Sequence, residues 1–535
     1  MAQSCISRES EVATKSLEIL VGAQVYKALE SVQFQDEWDR LYERCRWSTV
    51  FQGRVFTSTW YKIHSERQEP VLVRAVQGGR LTGLLLLSSI KGSALIVGAG
   101  NADAEYQTWL SDDDSDEFMP KAISLVIDSF PHHRITIMYI PSNVPLNWVA
   151  TIARWRSRCI VDTVRRPIID LSKSNVKALF AKKEFRKKVN KLKGRGEVSF
   201  EHITDYQRFS DILDILVVQH DFRKGAKYNA LEFKSDLLKK HFFLALFKQG
   251  VLHATVLKLD EEIVASVVGT RGKKWFLLVG INTHAPAYAD YSTGYILFIM
   301  LAEFLVNTGF VFFDLTPGGE SYKERLANMH TYAYKLVITT PLKTSVLNKV
   351  INPLQNLAKA SFERNGYKLR EIKMRFYRLR EQFRAISAAG TATAAQGLAL
   401  RLGLFGKGHY YLLPTSGSLG AAAWLRRGSL SDLLDFGQKG GLLTRWDFLA
   451  QAERRLQAGQ EPLTLSREGL LLCCVWLLPG GELEWLYCHR GWEGELAGFL
   501  AAVAKHAGEG ARVLVREPSL RRVLEKAGVC GIDVL

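Results

Sequence analysis

The stretch FFDLTPGGESYKERLA, residues 312–327, places one acid beside a tight turn and a charged helix. Asp314 ends an otherwise apolar strand, where a carboxylate is costly unless it is paired or solvated. Apolar neighbours would raise its pKa and make it a general base. Alternatively, Asp314 caps the Pro-Gly-Gly turn or pairs with Lys323 or Arg325. The residue types leave both interpretations open.

A second polar group lies in QHDFRKGAKYN, where His220 precedes Arg223 and Lys224. Histidine is the usual base near neutral pH, which makes His220 a candidate for general-base catalysis. A histidine at a helix end also serves as a cap or as a satisfied polar residue. The sequence does not choose between these roles.

A third group, Ser292, Thr293 and Gly294, opens an apolar helix in the segment DYSTGYIL. Hydroxyl caps and one small residue leave main-chain N–H groups available, which predicts an anion site at the helix N-terminus. The same residues also suit a well-capped core helix.

The elements that must position these residues alternate short β-rich runs with helical patterns. Residues 70–90 predict a hairpin that turns at Gly78-Gly79, and residues 253–282 predict a meander of three strands. A helix, the strand FVFFDL, a short helix and the strand TYAYKLVI follow. A weaker version of this order precedes it, so we expect an α/β (α+β) fold with two tandem units and mixed central sheets.

Composition changes after Ile386, where SAAGTATAAQG has the small residues of a linker. We therefore predict four segments. They are an N-terminal domain (1–160), a second domain with the candidate site (161–345), a basic helical segment and linker (346–395) and a smaller C-terminal domain (396–535).

Several strings in this order resemble the tandem GNAT acetyltransferases of the CelD/BcsL type, a group associated with bacterial cellulose and exopolysaccharide production. The strings include STVFQGRVFTSTWYKI, GAGNADAEYQTWL, VVQHDFRKGA, YSTGYILFIM and FDLTPGGESYKERLAN, and together they span roughly residues 30 to 345. The Fem family, which transfers amino acids from aminoacyl-tRNA, is a more distant resemblance. The ending LRRVLEKAGV is similar to the last part of a GNAT unit, which implies a degenerate GNAT-like C-terminal domain.

The resemblance implies roles for individual residues. By position, Tyr322 would protonate the departing thiolate of an acyl-CoA, and Lys323 would contact a donor phosphate or the carbonyl oxygen. The segment at Ser292 would hold the CoA pyrophosphate, although it lacks the full Q/R-x-x-G-x-G/A signature of ordinary GNAT proteins. The residues that the resemblance places around the acceptor are His220, Arg223, Asp103, Tyr106 and Gln107.

Composition narrows the class of protein. The net charge of +17 favours anionic partners, and 47% hydrophobic with 23% charged residues is typical of globular chains. Seven scattered cysteines give neither a disulfide framework nor a zinc site, and the acidic run 111–118 lacks the glycine of a calcium loop. We expect a cytoplasmic enzyme without a metal.

Three functions follow from these observations. The first is direct acyl transfer from acetyl-CoA or another acyl-CoA to a small molecule or sugar nucleotide, in cellulose or exopolysaccharide synthesis. It could involve a membrane-associated synthesis complex. The second is Fem-like transfer from aminoacyl-tRNA, for which the basic helix 182–196 would suit RNA. The third is a GNAT-derived scaffold without catalysis.

Overall fold

The computed structural model describes most of the chain. The described residues are 16–113, 117–339, 369–388, 409–413, 425–437, 443–489, 491–508, 511–515, 518–526, 529 and 531–532. The predicted linker lies outside them from residue 389 onward.

The N-terminal unit contains strands β1 to β6 and helices α1 to α6. The strands are β1 (Ser16–Val21), β2 (Gln68–Gln77), β3 (Arg80–Ile90), β4 (Leu95–Gly98), β5 (Trp109–Ser111) and β6 (Arg134–Pro141). The helices are α1 (Ala23–Glu30), α2 (Val32–Arg44), α3 (Arg54–Ile63), α4 (Phe118–Ser129), α5 (Asn147–Thr151) and α6 (Ala153–Arg156), with 3-10 turns at Val50–Gln52 and Asn101–Asp103. The predicted hairpin is confirmed, because β2 and β3 pair and both Gly78 and Gly79 have positive φ.

The central unit contains strands β7 to β14 and helices α7 to α13. The strands are β7 (Cys159–Asp170), β8 (Val198–Ile203), β9 (Leu252–Leu259), β10 (Glu262–Arg271), β11 (Trp275–Leu277), β12 (Asn282–His284), β13 (Phe312–Asp314) and β14 (Met329–Ile338). The helices are α7 (Lys173–Ala181), α8 (Lys183–Lys193), α9 (Tyr206–Tyr228), α10 (Glu232–Ser235), α11 (Leu237–Lys248), α12 (Thr293–Asn307) and α13 (Ser321–Leu326), with a 3-10 turn at Pro286–Tyr291. The predicted meander is confirmed as β9, β10 and β11.

One mixed sheet runs through both units in the order β1-β2-β3-β4-β6-β14-β7-β13-β11-β10-β9-β8. The two units join at its centre through strand β14. Strand β14, the last of the central unit, pairs with β6 of the N-terminal unit, and β7 lies between β14 and β13. The predicted boundary between residues 160 and 161 therefore falls inside strand β7.

Helix α14 (Leu369–Ala388) precedes the C-terminal unit, whose described elements form a second sheet. Its order is β16-β17-β18-β19-β20-β15-β21. The strands are β15 (His409–Leu412), β16 (Leu425–Arg427), β17 (Glu461–Arg467), β18 (Leu470–Leu477), β19 (Leu483–Cys488), β20 (Arg512–Val515) and β21 (Gly531–Ile532). The helices are α15 (Leu430–Leu434), α16 (Arg445–Gln457), α17 (Leu496–Ala507) and α18 (Pro518–Lys526), with a 3-10 turn at Glu493–Glu495.

The C-terminal unit packs on helix α9 of the central unit. Phe222 and Ala226 of α9 share a buried cluster with Phe448 and Leu449 of α16. Gly225 permits this close approach, since a Cβ there would lie 2.7 Å from a Leu449 methyl group. The C-terminal unit therefore borders the helix that carries His220 and Arg223.

Among the described residues, no helix is both long enough and apolar enough to span a bilayer.

Candidate active site where the central sheet splays

The candidate site lies where two neighbouring strands of the central unit part. Strands β11 and β13 pair in parallel from Trp275↔Phe312 to Leu277↔Asp314. The chain that follows β11 forms β12, which pairs with β10 instead of β13. This divergence, which we call the opening, has β12 on one side and the turn after Asp314 and helix α13 on the other.

Tyr322 of α13 reaches across this opening. The Asn282 side-chain amide of β12 donates a hydrogen bond of 2.8 Å to the Tyr322 hydroxyl oxygen. An Arg223 guanidinium N–H donates to the main-chain oxygen of the same asparagine, which fixes β12 at this point. Burial raises the pKa of Tyr322, against the smaller opposing effects of Arg223 and Asn282. The hydroxyl is therefore neutral and keeps a hydrogen to donate.

The turn between β13 and α13 has a strained main chain. Thr316 has a φ of 62°, which is unfavourable for a β-branched residue. One Asp314 oxygen accepts from the Thr316 main-chain N–H at 2.8 Å. The Lys323 ammonium donates to the Thr316 carbonyl at 3.1 Å and to its hydroxyl at 3.2 Å. Strain that is held by surrounding contacts is typical of functional sites.

Asp314 is fully buried in an ion pair that the sequence did not predict. Its other carboxylate oxygen accepts from Arg166 Nε at 2.9 Å and from Arg166 Nη2 at 2.7 Å. The guanidinium in turn stacks on the Tyr106 and Trp275 rings, each 4.6 Å away. The predicted partners Lys323 and Arg325 are therefore wrong. Because both of its oxygens hold donors, Asp314 supports the turn, and the geometry argues against a role as base.

Lys323, which the resemblance assigns to a donor phosphate or the carbonyl oxygen, faces inward. It is 6% exposed and lies 3.4 Å from the Glu320 carboxylate. Gly318 runs beneath this pair, and a Cβ there would lie 2.3 Å from a Glu320 oxygen. Lys323 therefore holds the turn closed from inside.

His220 and Asp103 belong to a partly buried ion network between the first two units. His220 Nε2 lies 3.4 Å from Glu232, and Glu232 lies 2.9 Å from Lys239. Lys239 lies 3.6 Å from Asp103 of the N-terminal unit. Burial lowers the pKa of His220, which keeps the imidazole neutral. The hydrogen bond between His220 and Glu232 lowers the pKa of Glu232. This arrangement joins the units and argues against His220 as the catalytic base.

Tyr106 and Gln107 fix the main chain of the loop around them. The Gln52 side chain donates to the Tyr106 carbonyl at 2.9 Å. The Gln107 amide donates to Asn101 at 2.8 Å and accepts from the Met138 N–H at 2.9 Å. Both residues are fully or almost fully buried. Together these hydrogen bonds position the loop that carries Glu105.

Glu105 was missed by the sequence analysis. Burial raises its pKa to about 7. The charges that act on it, largest first, belong to Lys323, Asp314, Glu320 and Lys224 of the central unit. No hydrogen-bond or ion-pair partner is seen for this carboxyl within the described part of the chain. An unpaired carboxyl group with a pKa near neutrality has the properties of a general base.

The predicted anion site at the start of α12 is bordered by lysines of α8. Ser292 has a φ of 56°, and its hydroxyl accepts from Lys188 at 3.0 Å. Lys191 donates to the Asp290 carbonyl at 3.4 Å. Thr293 is fully buried and donates to the Val264 carbonyl at 3.1 Å. The ammonium groups of Lys188 and Lys191 thus lie near the first main-chain N–H groups of α12. This arrangement is suited to binding a phosphate group.

Arg223 acts electrostatically on two further residues. His284, two residues after Asn282, is held neutral because burial lowers its pKa to about 4. Glu453 of α16 has a raised pKa from burial, opposed by Arg223 and Lys227. The C-terminal unit therefore supplies a carboxyl group beside Arg223.

No cluster of His, Cys, Asp and Glu side chains within the described ranges could hold a metal ion.

Comparison with known proteins identifies the class. Residues 180–324 match the family profile described as an acetyltransferase (GNAT) domain. The chain therefore contains a GNAT-type acyltransferase domain on a mixed α/β fold, and it is an enzyme of the acyltransferase class. No curated protein matches the chain.

Solved structures that match the chain include one described as a tandem GNAT protein. A tandem GNAT protein from the clavulanic acid biosynthesis pathway is 12% identical, with a TM-score of 0.37, and covers 60% of this chain and 98% of its own. FemX is 9% identical, with a TM-score of 0.41, and covers 58% and 98%. The L-PGS protein from Bacillus licheniformis is 14% identical, with a TM-score of 0.39, and covers 59% and 96%. Similarity at this level carries no information about the substrate.

Proposed function

We propose that the protein transfers an acyl group from acetyl-CoA or another acyl-CoA directly to an amine or hydroxyl acceptor. The observation that carries this proposal is the Tyr322 hydroxyl, held by Asn282 where β11 and β13 part. A thioester carbonyl in that opening would lie beside a neutral hydrogen-bond donor. The N-terminus of α12, with Lys188 and Lys191, would hold the phosphates of the same donor.

The chain's own residues account for the proton transfers of this reaction. Glu105 accepts the proton of the acceptor amine or hydroxyl as the new bond to the acyl carbon forms. Tyr322 donates its hydrogen to the sulfur as the carbon–sulfur bond breaks. Both residues then exchange protons with solvent and return to their starting states. No covalent enzyme intermediate is required.

The acceptor that we propose is a sugar nucleotide, a polysaccharide precursor or a small amine, in bacterial cellulose or exopolysaccharide synthesis in the cytoplasm. The support for this finer assignment is the resemblance of the sequence to the CelD/BcsL type. Mixed charges around the opening, from Glu105, Lys224, Arg223 and Glu453, suit a polar acceptor better than an apolar one.

A Tyr322→Phe variant tests the proposal. We expect acetyl-CoA to bind the natural chain and the variant equally in calorimetry, because the lost hydroxyl acts on the sulfur only as the bond breaks. Release of free CoA thiol should fall about 100-fold. Tyr332→Phe is the matched control, since Tyr332 is 55% exposed on β14. Absence of acetyl-CoA binding at millimolar concentrations would refute the proposal.

A second candidate donor is aminoacyl-tRNA. The observation in its favour is helix α8, on which Lys183, Arg186, Lys187 and Lys193 are exposed. Binding of tRNA through these residues would weaken steeply with salt, with one released counterion for each neutralised phosphate. The same calorimetric experiment with deacylated tRNA in place of acetyl-CoA separates the two donors.

A further inference from the structure

Helix α14 has two different faces. On the inner face, Arg378 Nη2 lies 2.7 Å from an Asp447 oxygen of α16, and Gln382 donates to the same carboxylate at 3.0 and 3.1 Å. Ala385, two turns after Arg378 on this face, is 5% exposed. These contacts fix the orientation of the helix against the C-terminal unit.

The opposite side of α14, the outer face, consists of Phe376, Leu379 and Phe383. These side chains are 65%, 52% and 66% exposed. Successive residues of an α-helix are separated by about 100°. Phe376 and Phe383 therefore lie roughly opposite Arg378, with Leu379 beside them. The outer face cannot turn inward without breaking the contacts to Asp447.

Exposed arginines flank this apolar stripe. Arg375 lies on one side, and Arg380 and Arg384 lie on the other. Arg384 also pairs with Glu381 at 2.9 Å, at a site where the arginine side chain is 61% exposed. Aromatic side chains along one line with basic residues on both sides are the pattern of a helix that lies in a membrane interface.

We propose that the outer face of α14 binds the surface of an anionic phospholipid bilayer. The stripe is convex and one helix wide, so Phe376, Leu379 and Phe383 can enter the boundary between headgroups and acyl chains. The arginines beside them have aliphatic stems that lie along the apolar layer, while their guanidinium groups reach lipid phosphates. The net charge of +17 attracts the whole chain to the same surface.

A bilayer fits this face better than a protein partner. A protein groove that receives an amphipathic helix would bury both flanks of the stripe, and here the flanks carry arginines that need anionic partners. A lipid surface supplies phosphates on both sides of the helix and an apolar layer beneath it. The proposal is independent of the acyl-transfer chemistry, because it uses none of the residues of the candidate active site.

Co-sedimentation of the full chain with lipid vesicles tests the proposal. We expect the natural chain to pellet with vesicles of phosphatidylcholine and phosphatidylglycerol, and much less with phosphatidylcholine alone. Raising the salt concentration should weaken binding, because screening removes the attraction between arginines and headgroups. The double variant Phe376→Ser, Phe383→Ser should lose about tenfold or more in partitioning.

Leu237→Ser is the matched control, since Leu237 is 73% exposed on α11. It should pellet like the natural chain. Circular dichroism and the melting temperature should be unchanged in both variants, because the replaced side chains are exposed. Failure of the natural chain to bind anionic vesicles overturns the proposal, and so does an equal loss in the control. Self-association that the double variant abolishes, without vesicle binding, would assign the face to a second copy of the chain.

Discussion

Replacement of Glu105 by glutamine tests whether its carboxyl group has a catalytic or a structural role. The folded protein raises the pKa of Glu105 to about 7, against an ordinary value of 4.5, because burial disfavours the charged form. At pH values below 4.5 the Glu105 carboxyl group is protonated in both the folded and the unfolded chain, so it does not change the free energy of unfolding. Between the two values the unfolded chain ionises first, and stability is lost as the pH rises.

The magnitude follows from the difference between these pKa values. At about 1.4 kcal/mol for each pH unit, ionised Glu105 costs at most about 3 kcal/mol of folding free energy above neutral pH. Glu105 is partly exposed, so solvent screening makes this figure an upper limit. Since glutamine does not ionise, Glu105→Gln should be more stable than the natural chain at alkaline pH and nearly equal to it at pH values below about 5.

Two measurements check this prediction. The melting temperatures of the natural chain and the variant are compared across pH, and thiol release from acetyl-CoA is followed over the same range. The variant should release thiol about 100-fold more slowly and should lose the rise in rate near neutral pH. A difference in melting temperature that does not depend on pH, together with an unchanged rate profile, would refute the reasoning.

Two further predictions concern residues that support the site and the sheet. In Gly98→Ala, the new Cβ would lie 2.8 Å from the Gln107 Cβ, so we expect a loss of about 1–3 kcal/mol in unfolding experiments and a fall in activity as the Glu105 loop shifts. Gly480→Ala, where no atom lies within 4 Å of the added Cβ, should be neutral. His253 has a pKa lowered to about 3 by burial, so its contribution to stability is complete above pH about 6.5 and is lost as the pH falls towards 3. His253→Phe keeps the ring contacts and should melt at higher temperature than the natural chain in acid but not at neutral pH, and an equal acid sensitivity of both proteins would contradict this.

The fold was largely predictable because its signals are local. Alternating apolar residues and Gly78-Gly79 define a hairpin within 21 residues, 70–90, and the meander 253–282 turns at Asp260, which has the positive φ that such a turn needs. The pairing of β14 with β6 and β7 was not predictable in this way. Strand pairing between segments about 170 residues apart depends on which edges are available after each unit has folded, and no local pattern records it.

The candidate site was predictable only where a motif places a side chain on a regular element. Tyr322 lies in the first turn of α13, so its direction follows from the helix. Glu105 lies in an irregular loop, where neighbouring side chains have no fixed period. Asp103, Tyr106 and Gln107 of the same loop were chosen instead, and the structure places them in supporting hydrogen bonds. The direction of each side chain in such a loop depends on contacts with residues distant in sequence, here Gln52 and Met138.

Because the two units share one sheet, we ask which parts of the chain the proposed reaction needs. The GNAT match covers residues 180–324 and contains Tyr322, Asn282 and the start of α12, which are the residues for the acyl donor. Two residues lie outside this match. Arg166 holds the strained turn through Asp314, and Glu105 is the proposed base. Arg166 is on β7, which lies between β14 and β13, and Glu105 belongs to the N-terminal unit. In the proposed reaction the base, Glu105, therefore comes from a different unit than Tyr322 and the start of α12, so the reaction requires both units.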